Sequence, residues 1–144
     1  MRAVHRRIPD GHDDAAQMTP INPWLVVAAI SGGMATFAGA YGWHWLEADD
    51  GGHEMFNMGV QYHMWHSLAL LAVAWFTELR RNTAAGRWGG RAGLLFTIGI
   101  VLFSGSLYFF GVTGELPFNG AAPAGGMALM AGWAVLAFAA TRKA

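Results

Sequence analysis

Residues 92–114 read AGLLFTIGIVLFSGSLYFFGVTG, a stretch without Asp, Glu, Lys or Arg that is closed by Arg91 on one side and Glu115 on the other. A helix needs about 20 predominantly apolar residues to cross the hydrocarbon core of a bilayer. Inside that core its backbone polar groups must be satisfied within the segment itself. Three further stretches of the same kind flank this one. The first lies between Asp14 and Glu47, and its apolar part begins at Pro23 and Trp24. Another runs from Met55 to Thr77, between Glu54 and Glu78. The last runs from Leu116 to Thr141, and its helix is expected to start near Pro123, a residue suited to a first turn. The expected fold is therefore all-α and integral to the membrane. It is an antiparallel bundle of four transmembrane helices over about 24–46, 55–78, 92–114 and 123–141, in a domain of residues 23–144 that follows a polar tail of residues 1–22.

Composition agrees with this reading. Charged residues make up 12% of the 144 and apolar residues 54%, against about 25% charged in ordinary soluble domains. The helices of a soluble bundle keep a charged outer stripe, and these stretches have none. Without a broad basic face, nucleic acid is excluded as a partner. The absence of cysteine removes disulfides, thiolate metal sites and cysteine nucleophiles.

Charge also orients the chain. The tail holds Arg2, Arg6 and Arg7, the second connection Arg80, Arg81, Arg87 and Arg91, and the C-terminus Arg142 and Lys143. The other two connections carry Glu47, Asp49, Asp50, Glu54 and Glu115 and no basic residue. The positive-inside rule places the basic side, with both termini, in the cytoplasm. The apolar run after the tail starts too late and is too long for a signal-peptide core, so the first span is expected to be retained. The tail is expected to be a free arm or a segment that docks on a partner.

Polar side chains within spans are the usual place to seek function. His44 falls near the outer end of the first span. His63 and His66 fall about 12 and 16 Å below the outer end of the second, at about 1.5 Å per residue. Ser104, Ser106 and Tyr108 occupy the outer half of the third, with Ser104 near the depth of His66. Together with Tyr62 these residues form a candidate cluster. It can be read as a haem site through His44 and His66, a metal site completed by His63 or by the flanking His53 and Glu54, or a proton or quinone contact through His66 and Tyr108. The ordinary reading is that the groups satisfy one another across helices, with neutral His66 bonded to a group in 104–108. No metal ion or cofactor is expected, nor any catalytic residue. The lack of charge within the spans speaks against ion transport. Helix packing is expected through small residues four apart, such as Ala28 and Gly32 or Ala35 and Gly39, and through Ala124, Ala128 and Gly132.

Four blocks carry a resemblance: GAYGWHWLE at 39–47, YHMWHSLALL at 62–71, LLFTIGIVLFSGSLYFFGVTG at 94–114 and PAGGMALMAGWAVLAFAA at 123–140. In order and spacing they resemble domain-of-unknown-function family 423, the YgdD and transmembrane protein 256 family. The resemblance implies four membrane helices and no particular activity. It marks Gly39, Gly42 and His44, then Tyr62 and His66, then Ser104, Gly105, Ser106 and Tyr108. In the last block it marks Pro123, Gly125, Gly126, Gly132 and Trp133. This chain departs from the pattern at Trp43, which is expected to crowd any cavity beside His44, and at His63, where Gln is common. The resulting expectation is a non-enzymatic protein of the bacterial inner (cytoplasmic) membrane. Its partners would be the bilayer and the other subunits of a larger complex, met through residues 1–22. The alternative is a small transporter or channel, or a quinone-, haem- or metal-binding protein.

Overall fold

A computed structural model describes residues 21–143. The tail up to Pro20, and with it the expected docking arm, Arg2, Arg6, Arg7, His5 and His12, lies outside the described residues. The described residues are helical throughout apart from short connections. The helices are α1 (Pro23–His44), α2 (Asp50–Leu79), α3 (Ala84–Gly99), a π-helical turn (Ile100–Ser104), α4 (Gly105–Thr113) and α5 (Ala121–Thr141). Because α3, the π turn and α4 are continuous, the described residues make four rods.

Local chemistry sets the ends. Asn22 caps α1, accepting from the Trp24 and Leu25 amides, with Pro23 as the first helical residue. Its amide nitrogen also donates to the Ala74 carbonyl of α2 at 2.9 Å. Asp49 caps α2 through the Gly52 amide, and Thr83 caps α3 through the Gly86 amide. Gly114 ends α4 in the left-handed conformation at φ 73°, a geometry that glycine adopts without a Cβ clash. The third rod begins eight residues before the span expected at 92. Its first two turns carry Arg87 and Arg91, and Arg91 lies over the Trp88 ring at 4.2 Å. The apolar limit read from charge thus marks where the third rod becomes wholly uncharged rather than where the helix starts.

Successive rods run antiparallel. Gly42 near the end of α1 meets Phe56 near the start of α2, and Gly89 near the start of α3 meets Phe76 near the end of α2. Gly125 near the start of α5 meets Phe103, while Trp88 near the start of α3 meets Phe138 near the end of α5. The second and third rods are central, α1 packs mainly on α2, and α5 packs mainly on α3 and the π turn. The core comprises Ala28, Leu70, Val73, Phe96, Ile100 and Leu129 with their neighbours.

The packing faces differ in part from the small-residue pairs expected. On α1 the buried residues are Ala28, Ser31, Ala35 and Gly42, spaced by threes, fours and sevens like a coiled-coil seam. On α5 they include Gly125, Leu129 and Gly132, while Ala124 and Ala128 are half-buried. A Cβ at Gly125 would run into the backbone nitrogen of Phe103, so glycine here lets two backbones touch.

The π turn shifts the third rod's contact face. Ahead of it the buried positions include Gly89, Ala92 and Phe96, and from its last residue onward Ser104, Leu107 and Gly111. A regular heptad carried on from Gly89 and Phe96 would present Phe103 and Phe110 instead. One extra residue in the wide turn moves the face along by one position.

Outward-facing positions are apolar. Ile30, Met34, Phe37, Trp75, Val101 and Met130 are all exposed, more than a soluble monomer tolerates in contiguous patches. Among the described residues, three helices are long and apolar enough to cross a membrane: Pro23–His44, Ala84–Thr113 and Ala121–Thr141. The remaining rod, α2, has 30 residues, about 45 Å at 1.5 Å per residue. It is less apolar because Asn57, Gln61, His63 and His66 lie along it.

Candidate functional site: a histidine-centred polar network

Two separate hydrogen-bonded groups replace the single cluster expected. The first centres on His63, which is buried in α2. Its Nδ1 lies 3.0 Å from the Tyr108 hydroxyl of α4, and its Nε2 lies 3.0 Å from the Ser31 hydroxyl of α1. Ser31 Oγ is 2.7 Å from Ser67 Oγ, and the Ser67 hydroxyl donates to the His63 carbonyl at 2.8 Å. Three rods are thereby joined by one chain of polar contacts.

Proton accounting fixes the direction of this chain. A carbonyl only accepts, so Ser67 spends its proton on the His63 carbonyl. Ser31 must then donate to Ser67, and His63 Nε2–H must donate to Ser31. In neutral His63 the Nδ1 is left as an acceptor for the Tyr108 hydroxyl. Neither Ser31 nor Ser67 was among the residues expected to contribute. Their signal in the sequence was present but faint: two isolated hydroxyls on spans, each at a buried helical position.

His66, three residues on, belongs to the second group. Trp133 of α5 donates its Nε1–H to His66 Nε2 at 3.2 Å. His66 Nδ1–H donates in turn to the Tyr62 carbonyl one turn back, at 2.7 Å. This is the opposite tautomer from His63. The expected partner of His66 in 104–108 is corrected: the imidazole faces α5, and Tyr108 is taken by His63. Phe96 packs against both the His66 and the Trp133 rings, with centroids 5.6 and 5.1 Å away.

The other expected residues are scattered. The Tyr62 ring lies against Phe103, with centroids 4.7 Å apart, and contributes its carbonyl rather than its hydroxyl to His66. Ser106 donates to the Leu102 carbonyl of its own helix. Ser104 is fully buried in the π turn, and its hydroxyl has no partner. A helical serine ordinarily back-bonds to the carbonyl four residues earlier. In this turn the Gly105 amide reaches that Ile100 carbonyl. His44 is exposed at the end of α1 and packs against Trp45. It is not brought to His66, so the haem pair does not assemble. Trp43 is 84% exposed and crowds no cavity. Among the described residues, no group of three or more His, Asp or Glu side chains is placed to hold a metal ion.

The His63 network borders an apolar cavity of about 400 Å³ between α1 and the third rod that opens sideways onto the outer surface, where Ile30, Met34 and Val101 are exposed. Val27, Ile30, Met34, Leu70, Ile100 and Val101 form its walls; Ser31, His63 and Tyr108 form its polar edge. Gly105 opens onto it, with no atom within 4 Å of the position a Cβ would take.

The chain has relatives among known proteins. The chain is 36% identical over 121 residues to the UPF0382 membrane protein YwdK of Bacillus subtilis, covering 83% of this chain and 96% of the relative. It is 34% identical over 120 residues to the UPF0382 inner membrane protein YgdD of Escherichia coli, covering 82% and 88%. It is also 34% identical over 121 residues to a UPF0382 membrane protein of Staphylococcus epidermidis, covering 81% and 93%. No solved structure matches it. With these relatives and three helices able to span a bilayer, the chain is a multi-pass protein of the bacterial inner membrane. The family model described as "Protein of unknown function (DUF423)" matches residues 38–126. Together with relatives aligned over more than four-fifths of its length, that match makes the chain a member of the DUF423 family.

Proposed function

We propose that the chain is a four-span, non-enzymatic membrane protein with both termini in the cytoplasm, acting as an accessory or assembly subunit of a larger membrane complex. The observation that carries the orientation is charge segregation at the two ends of the rods. Arg80, Arg81, Arg87, Arg91, Arg142 and Lys143 lie at one end, and Glu47, Asp49, Asp50, Glu54 and Glu115 at the other. Inward placement of the basic end follows the positive-inside rule. At about 45 Å, α2 is long enough to be the fourth span. Its histidines meet internal partners, which lowers the cost of placing them in hydrocarbon.

The accessory role draws support from two features. Most polar side chains on the rods are consumed in helix-to-helix or intrahelical bonds, and in the Ser31–His63 pair the imidazole donates to the hydroxyl, the reverse of what activates a serine nucleophile. The connections between rods are short, 45–49, 80–83 and 114–120, and offer little platform for a catalytic site outside the bilayer. A ligand-binding role is favoured by one observation, the apolar cavity that ends on His63 and Tyr108.

Reporter fusions at Arg87 and Gly51 test the orientation, and cytoplasmic reporter activity at Gly51 would overturn it. Native electrophoresis in mild detergent tests the accessory role. Migration well above the 15.5 kDa of the chain is expected, weakened by deleting residues 1–18. A monomer in every mild detergent, unaffected by the deletion, would refute the role.

A further inference from the structure

We infer that the cavity between α1 and the third rod is a binding site for a lipid-soluble quinol, held by a hydrogen bond from its phenolic hydroxyl to Tyr108. Four observations lead there. The cavity, about 400 Å³, falls within the range typical of small-molecule sites and shares their character, with mostly apolar walls and a few convergent polar groups. It is not filled from within the fold, since Gly105 leaves its floor open where almost any other residue would place a side chain.

Depth narrows the ligand. His63 lies eight residues inside the outer limit of the span, about 12 Å into the hydrocarbon. This step rests on the four-span reading above. Phospholipid ester groups stay at the interface, so a headgroup reaching Tyr108 must be neutral and able to enter hydrocarbon, as a quinol ring can. The cavity continues past His63 toward Val27, Leu70 and Thr97, which gives an isoprenoid tail an apolar path.

The hydrogen-bond direction selects the reduced form. Tyr108 commits its proton to His63 Nδ1, because His63 Nε2–H is committed to Ser31 and Ser31 to Ser67. Tyr108 therefore offers the cavity a lone pair and no proton. A quinol hydroxyl can donate to that lone pair with the chain unchanged. A quinone carbonyl would need Tyr108 to turn its proton outward. That would require the other neutral tautomer of His63 and loss of the bond from Ser67 to the His63 carbonyl.

The test is calorimetric titration of the full chain in lipid nanodiscs with decylubiquinol, kept reduced, and separately with decylubiquinone. Saturable binding of the quinol is expected, with the quinone about tenfold weaker or more, the worth of about one hydrogen bond. Tyr108→Phe should bring quinol affinity down to about the quinone level. Gly105→Leu, which fills the cavity without touching the polar chain, should abolish binding of both while leaving the helical circular dichroism spectrum unchanged. His63→Gln, which keeps one donor and one acceptor, should retain the preference. Equal affinity for the two forms, wild-type binding by the Gly105→Leu variant, or no saturable binding beyond lipid partitioning would overturn the inference. The reporter-fusion result stands apart from all of these, so a failed topology and a failed site are distinguishable.

Discussion

The His66–Trp133 bond gives a sharp test of how the rods are joined. His66→Leu removes the acceptor for Trp133 Nε1–H, and Trp133→Phe removes the donor while keeping a ring against Phe96. Interhelical hydrogen bonds in membranes average about 0.6 kcal/mol and reach about 1.7 kcal/mol. This one is long at 3.2 Å, and Trp133 is half exposed, which points to the lower part of the range. His66→Leu also loses a ring against Phe96, and Trp133→Phe keeps a ring there but gives up the larger contact area of the indole, so each is expected to cost about 1–2 kcal/mol in total. The pairwise term should be only about 0.5–1 kcal/mol, and a double-mutant cycle isolates it. Unfolding by denaturing detergent in mixed micelles, followed by far-ultraviolet circular dichroism, gives the four stabilities. The same cycle between His66 and Ser104 is the control, since Ser104 has no bond to His66 and should show coupling near zero. Larger coupling to Ser104 than to Trp133 would refute the assignment of His66 to α5.

Two further outcomes follow from buried positions. Ser104→Ala removes a fully buried hydroxyl without a partner, so it should be neutral or stabilise by up to about 1 kcal/mol in the same assay; clear destabilisation would show that the hydroxyl is bonded. Gly125→Ala puts a Cβ 2.8 Å from the Phe103 Cα and should cost about 1–3 kcal/mol through overpacking, whereas at Gly126 the nearest ring atom is 3.7 Å away and Ala should be tolerated or mildly stabilising.

Several features of this protein can be read from its sequence alone. The four uncharged runs and the gathering of every Lys and Arg into the tail, the second connection and the C-terminus are local properties. Each depends on run length or charge within a short stretch of chain. The family was legible in the same way, and the family model and the relatives show it. The partners of the histidines were not legible, and the reason is rotational. Counting rise along the helices places His66 and Ser104 at similar depth, but depth does not say which way a side chain points. Residues three apart on an α-helix differ in direction by about 60°. That is enough to turn His63 toward Ser31 and Tyr108 and His66 toward Trp133. The π turn then advances the face of the third rod by one residue, so a heptad extrapolated from Gly89 and Phe96 misses Ser104 and Leu107. Ser31 and Ser67 acquire meaning only once α1 and α2 are packed, because the hydroxyl of one is useful to His63 only when the other accepts its proton. Local chemistry decided which residues are helical and which connections carry the basic residues. Packing alone decided which polar groups meet, because that depends on the rotation of each rod about its own axis.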